Sequence, residues 1–391
     1  MSRRRPRQSS GKRSCLWPNR KVLTIDPGRY DLLELTDGQD FLTCLKRIRR
    51  LDSHVRQWLD RGDEFAVIVD FTGGTKCMTA ALALQARCWP CRFSYVGGSE
   101  RTKDGTGIVV SGNERILHDQ NPWNALGYQT VDDFVLLFDR CDFGPAINLI
   151  RQTQRRVESS ATKRELGTLS LLAEAYLAWD RFEHGKAADA LEKLRKNLND
   201  LSAVFSESAA DTLSDRITRH IEHLSALRGS QTISHPLVVD LLANACRRAS
   251  EKRFDDAVAR LYRVTEALAQ MQLREQHEIE NTGNVPLERI PVALQTEWSG
   301  RVEEGGMRLG LQDAYRLLAE LDDDLGRRFQ SLQWQDRNRS PLVARNHSIL
   351  AHGFGPVSEK TYNQLWKGCL ELAGITEDQL PVFPCLGKSE S

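Results

Sequence analysis

Two kinds of apolar pattern divide the chain. In the first third, VLTID from Val22 and FAVIVD from Phe65 are short, β-branched apolar runs of the kind buried in a parallel sheet. Between them, LTCLKRIRRLDSHVRQWLDRG from Leu42 repeats its apolar residues at helical spacing, so the three segments predict a β-α-β unit. FTGGTKCMTAALALQA from Phe71 predicts a glycine-containing loop opening a helix, RFSYVGG from Arg92 a strand, and GIVVSGNERILH from Gly107 a hairpin. An α/β sheet domain is expected over residues 22–135. From Asp132 onward the pattern is helical, with amphipathic runs in LGTLSLLAEAYLAWDRF, ADALEKLRKNLNDL and DLLANACRRASEKRFDDAVARLYRVTEALAQMQL. This predicts a helical connecting region at 136–230 and a helical domain at 231–391, with NTGNVPLERIPV as a loop inside it. Phe143-x-x-Ala146-x-x-Leu149 and Phe254-x-x-Ala257 look like starts of helical repeats, but their spacing is irregular and excludes a solenoid.

Composition adds boundaries to this picture. Lys and Arg total 54 against 53 Asp and Glu, a net charge of +1, so any contact with nucleic acid must be local. The exception is residues 1–21, with eight Lys or Arg and no acid, which read as a basic disordered arm. The arm lacks the apolar core of a secretory signal, and no apolar stretch elsewhere is long and uncharged enough to span a membrane. Nine cysteines, odd in number and scattered, give no disulfide framework and fit a reducing cytoplasm.

Three short stretches carry candidate chemistry. RNHSILAHG, Arg345 to Gly353, is expected to close a helix with Ser340 as N-cap, Pro341 at its first position and Gly353 as its stop. In such a helix Arg345 and His352 return to within about 20° of one face, His347 points away, and His352 meets the negative end of the helix dipole. No Asp, Glu or Cys occurs from Asn338 to Ser358, which disfavours a metal. An imidazole that moves protons beside a guanidinium that steadies a charged phosphate suits RNA cleavage by its own 2′-OH. The other reading is a surface helix with a polar residue at its end. DFTGGTK, Asp70 to Lys76, joins a strand to a helix and suits phosphate binding through backbone amides and Lys76, or else is a tight strand-to-helix turn. It is neither a Walker A loop nor GxGxxG. Cys88-Trp89-Pro90-Cys91 closes a helix and precedes a strand, the reverse of a redox CxxC, and reads as a structural turn.

DFTGGTKCM, YVGG, NPW and RNHSILAHG, in this order, resemble the CRISPR-associated effectors that join a CARF ligand-sensing domain to a HEPN ribonuclease domain. The likeness runs from about residue 22 to 375 and includes DLLANACRRASEKRFDDAVARLYRVTEAL. It implies a Rossmann-like α/β CARF domain followed by an all-α HEPN domain. Its implied activity is metal-independent, single-stranded RNA endonuclease cleavage in type III antiviral defence, switched on by cyclic oligoadenylate and needing no cofactor. The resemblance places catalysis on Arg345, Asn346 and His352 across a homodimer interface. It places the ligand on Thr72, Gly73, Gly74, Thr75 and Lys76. A departure is also expected: the strand and helix that the family sets before VLTID have no counterpart here. The competing class is a nucleotide-sensing dimer without catalysis, which would need neither Arg345 nor His352. A transcription regulator would need a basic recognition helix, and none is present.

Overall fold

The structure is a computed structural model describing residues 15–16, 22–23, 33–59, 67–98, 100, 109–110, 112–201, 204–229, 232–303, 306–334, 340–351 and 353–387. It divides into two units, Met1–Thr130 with Arg151–Leu166, and Val131–Ile150 with Gly167–Ser391. The expected fold class holds: a small sheet with helices in the first unit, and a second unit made almost wholly of helices.

In the first unit, β1 (Cys15–Leu16) pairs antiparallel with β2 (Val22–Leu23). Then come α1 (Phe41–Ile48), α2 (Asp52–Leu59), β3 (Val67–Asp70), α3 (Lys76–Ala86), β4 (Cys91–Gly98), β5 (Glu114–Gln120) and α4 (Trp123–Leu126). The sheet order is β3-β4-β5, with β3 and β4 parallel and β5 antiparallel to β4. The β-α-β unit therefore lies one helix later than the pattern predicts. The described residues of VLTID, Val22 and Leu23, pair with Cys15 and Leu16, while FAVIVD pairs with RFSYVGG across α3. An apolar run states that a segment is a buried strand, not which strand lies beside it. The hairpin is likewise corrected: its second arm is β5, but its partner is β4, with Val96 opposite Ile116. Of the basic arm, Cys15 and Leu16 form β1 and the rest lies outside the described residues.

Trp89 organises the core of this unit. It is buried with Val55, Val69, Ala86 and Cys91, and its indole N–H donates to the Asp52 carboxylate at 3.0 Å. Its carbonyl accepts from the Trp123 indole at 3.0 Å. The neighbouring asparagines tie the NPW segment down: Asn121 accepts from Trp123 N–H and donates to the Arg156 carbonyl. Asn124 accepts from the amides of Glu158 and Ser159. Cys88-x-x-Cys91 is the structural turn that its position implies. Cys88 is exposed, and burial pushes the Cys91 thiol up to about 11, the opposite of an activated thiolate.

The helices continue with α5 (Gln129–Asp139), α6 (Phe143–Gln154), α7 (Ser160–Asp180), α8 (His184–Lys196), α9 (Glu207–Leu227), α10 (His235–Ser250) and α11 (Phe254–His277). β6 (Val285–Pro286), α12 (Val292–Trp298), β7 (Val302–Glu303), β8 (Gly306–Met307), α13 (Leu311–Glu320), α14 (Asp324–Ser331), α15 (Leu342–His347) and α16 (Glu359–Ala373) complete the second unit. NTGNVPLERIPV is not wholly loop, because Val285 and Pro286 join the small sheet β6-β8-β7. Among the described residues, four helix pairs turn at a left-handed, non-glycine residue: Cys141 (φ 61°), Phe182 (61°), Lys252 (60°) and Asp322 (59°). Each corner closes with the same two bonds. At Lys252, for example, its amide donates to Ala249 and that of Arg253 to Arg248, satisfying carbonyls of the last turn. Phe143 and Phe254 start the second helices of two of these pairs, which explains the repeat-like pattern without a regular period.

Within the second unit α7 is the pillar. Tyr176 and Trp179 are fully buried, and Trp179 donates its indole N–H to Asp240 at 2.7 Å, while His184 bonds the other Asp240 oxygen at 2.8 Å. The next residue, Asp180, holds Arg247 and Arg248 at 3.0 and 2.8 Å. The C-terminal segment is fastened to the same place. Phe383 packs on Tyr176 and Trp179 with centroids 4.8 and 5.0 Å apart, and the Arg247 guanidinium lies 3.9 Å over its ring. Asp139 accepts from the amides of Leu386 and Gly387.

His220 in this cluster titrates far from its ordinary range. Burial, followed by the charge of Arg216, pushes it down to about 3, and it sits neutral with Nδ1 2.8 Å from the Tyr176 hydroxyl. A histidine whose folded pKa is depressed takes its proton first in the unfolded chain. Its contribution to stability is therefore full above about pH 6.5 and declines as pH falls towards 3, by up to about 1.4 kcal/mol per pH unit. Thermal unfolding between pH 7 and pH 4 should show a shallower loss in His220→Gln than in the wild type. Equal slopes would assign the acid sensitivity to other groups.

Candidate active site

The helix expected to run to Gly353 stops early. α15 spans six residues, Pro341 rather than Ser340 occupies the N-cap position, and Ser348 follows His347 in an extended conformation (φ −83°, ψ 162°). The buried Ser348 hydroxyl donates to the Arg345 carbonyl at 2.9 Å, and its amide donates to the same oxygen at 3.1 Å. A side chain that bonds nearby backbone competes with continuation of the helix. The chain then folds back: the amides of Ala351 and Gly353 donate to the Ser348 carbonyl, and that of Gly355 donates to His347. Gly353 lies directly on the His347 backbone, where a Cβ would stand 2.1 Å from its carbonyl oxygen. Sharing of a helical face between positions 345 and 352 thus loses its basis, and the helix C-terminus falls at His347. His352 itself lies outside the described residues.

Arg345 is held by α11. Its guanidinium lies 4.8 Å from the Tyr262 ring centroid, and it donates to the Asn346 side-chain oxygen at 3.3 Å. A half-buried cation on an aromatic face is worth about 0.5–2 kcal/mol and fixes a side chain that would otherwise sample many rotamers. Tyr262 also borders a cavity of about 500 Å³ that reaches Trp334, Ser340, Asn346 and His347. On the fold-back segment, Ile349, Leu350 and Phe354 are 68 %, 47 % and 94 % exposed, an apolar group that a lone chain leaves in water. Nothing in the hydrophobic pattern singled out Tyr262, because it contacts Arg345 only through the fold.

The glycine loop lies where the sequence puts it, between β3 and α3. Thr75 is the N-cap, accepting from the Met78 amide at 3.2 Å, and its hydroxyl donates to the Gly38 carbonyl. Thr72 accepts from the Val96 amide at 2.8 Å, which ties the loop to β4. Gly74 has φ +99°, a conformation side-chain-bearing residues rarely adopt, and Thr72, Gly73, Gly74 and Lys76 are exposed. Thr75 is thus committed to holding the start of α3 to the segment before α1, whereas the loop's outer surface is open.

Comparison with known proteins places the region of Arg345 among known domains. A model of the Csm6 HEPN domain matches residues 228–375, which contain Arg345 and His352, and a model of the Csm6 6H domain matches residues 126–218. Residues 228–375 thus match a HEPN domain, and residues 126–218 a 6H domain, of the Csm6 type. The CARF–HEPN resemblance read from the motifs is thereby borne out. The chain is 27 % identical over 375 residues to the CRISPR system endoribonuclease Csm6 of Thermus thermophilus, covering 91 % of this chain and 76 % of that one. It is also similar in fold to Enterococcus italicus Csm6 bound to cyclic hexa-2′-fluoro-hexa-dAMP, with a TM-score of 0.50 and 12 % identity over 88 % of this chain and 78 % of the other.

The fold-back makes Gly353 and Gly355 unequal. Gly353→Ala drives a methyl into backbone and should cost about 1–3 kcal/mol, whereas Gly355→Ala, with 3.4 Å to its nearest neighbour, should cost far less. Denaturant unfolding of both variants measures this, and equal costs would contradict the close approach at His347.

Proposed function

We propose that the chain is a metal-independent endoribonuclease that cleaves single-stranded RNA when cyclic oligoadenylate binds its N-terminal half, as part of type III CRISPR defence in the cytoplasm. The observation that carries this is Arg345, fixed on Tyr262 beside Asn346 within the region matched by the Csm6 HEPN model. The name of the Thermus relative and the ligand of the Enterococcus structure support it.

In this reading Arg345 stabilises charge on the scissile phosphate, Asn346 orients the Arg345 guanidinium, and His352 moves the proton of the 2′-OH or of the leaving oxygen. One chain supplies one such set, whereas the reaction needs a base on one side of the phosphate and an acid on the other. A homodimer supplies both, and exposed Ile349, Leu350 and Phe354 beside Arg345 offer the apolar surface for it. Cyclic oligoadenylate meets the outer surface of Thr72, Gly73, Gly74 and Lys76, with Thr75 keeping the loop in shape. The domains are drawn at 22–135 for sensing, 136–230 for connection and 231–391 for catalysis.

Because the nucleophile belongs to the substrate, the products should be a 2′,3′-cyclic phosphate and a 5′-hydroxyl, and DNA should survive. His352→Ala should slow cleavage on the order of 10²-fold or more, with EDTA without effect. Mass spectrometry of the products decides it, since 3′-hydroxyl ends or a divalent-ion requirement would remove Arg345 and His352 from catalysis. On the sensing side, Lys76→Ala should weaken cyclic oligoadenylate binding by roughly 1.5–3 kcal/mol. Calorimetry showing unchanged affinity would move the ligand elsewhere.

A further inference from the structure

The cavity beside Arg345 is larger and more polar than packing requires. It lies between Tyr262 of α11, the start of α13, and the residues around α15, and its volume of about 500 Å³ is in the range of small-ligand sites. Ser340, only 8 % exposed, borders it with a hydroxyl that has no hydrogen-bond partner among the described residues. Buried hydroxyls are nearly always paired, so this one suits a partner that arrives from outside. Two amides join it. The oxygen of Asn346 is taken by Arg345, which leaves its NH₂ to donate, and the NH₂ of Gln312 is taken by the Trp334 carbonyl, which leaves its oxygen to accept. Leu342 and Val343 supply apolar wall.

We propose that this cavity is a subsite for one nucleobase of the RNA, adjacent to the phosphate that is cut. The proposal rests on the reading of Arg345 as catalytic. An apolar wall with a donor amide, an acceptor amide and a hydroxyl at fixed places matches the flat, polar-edged shape of an unstacked base, the form in which single-stranded RNA is read. A phosphate is a poor fit, because Asp313 also borders the cavity with its carboxylate held by Arg301 and the Gly310 amide. Tyr262 connects the two functions: it borders the cavity and carries the Arg345 guanidinium on its ring. A base seated there would therefore set the register of the backbone against Arg345, and Ser340, Gln312 and Asn346 would decide which base is accepted.

The test uses the full-length chain, activated by cyclic oligoadenylates of each ring size, on RNA oligonucleotides with one cleavable step. The nucleotides flanking that step are varied through the four bases and an abasic residue, and kcat/KM is measured for each. At one flanking position the preferred base should exceed the abasic residue by roughly tenfold or more, as one set of buried hydrogen bonds allows. Ser340→Ala and Gln312→Ala should each compress that ratio several-fold, and Val343→Trp, which fills the cavity, should lower it towards one. Melting temperatures identify any variant that fails to fold, and the conservative Ser340→Ala keeps the test decisive if Val343→Trp does not. Arg345-dependent cleavage with no difference between base and abasic residue, or a ratio unchanged in Ser340→Ala, would overturn the subsite and leave the ribonuclease reading standing. Absence of RNA cleavage with every ring size would overturn both.

Discussion

The geometry of the candidate active site depends on one carbonyl. The Arg345 oxygen accepts both the amide and the hydroxyl hydrogen of Ser348, and that pair of bonds ends α15 and turns the chain back over its own last turn. Everything around the site follows from this turn: Gly353 against His347, the exposure of Ile349, Leu350 and Phe354, and the confinement of Arg345 to the face of α15 that meets α11. A continuous helix would have carried the segment away from Tyr262 at 1.5 Å per residue.

A second set of constraints holds the scaffold. On α7, adjacent Trp179 and Asp180 bind two different parts of α10: the indole bonds Asp240, and the carboxylate bonds Arg247 and Arg248 about two turns later. These are buried polar contacts, so their strength lies in the cost of leaving any member unpaired. Phe383 closes the cluster from the C-terminal side and lends its ring to Arg247. The segment after α16, irregular apart from one short 3-10 turn at Glu377–Gln379, thereby joins the core. α10 and α11 then pass this rigidity to Tyr262 and so to Arg345.

The glycine loop shows a division of labour among residues of similar type. Thr72 and Thr75 look equivalent in DFTGGTK, yet their hydroxyls bond different elements, β4 for Thr72 and the segment before α1 for Thr75. The glycines need no such anchors. Gly74 is needed for its positive φ, and Gly73 faces open space, where an added Cβ would touch nothing.

By itself the sequence determined the element types, the order of a sheet domain and a helical half, the glycine loop at a strand-to-helix junction, the structural character of Cys88-x-x-Cys91, and the CARF–HEPN resemblance. These follow from periodicity, turn residues and short motifs, all local properties of the chain. Only the tertiary structure decided that FAVIVD pairs with RFSYVGG, that β4 rather than Val109 and its neighbours faces β5, and that the helix beginning near Pro341 stops at His347. It alone decided that Tyr262, 83 positions before Arg345 in the chain, lies under its guanidinium. The physical reason is the same in each case. Strand pairing, cation–aromatic stacking and a backbone fold-back are contacts between segments brought together by burial. Side-chain spacing along one segment carries no term for the surface it will meet.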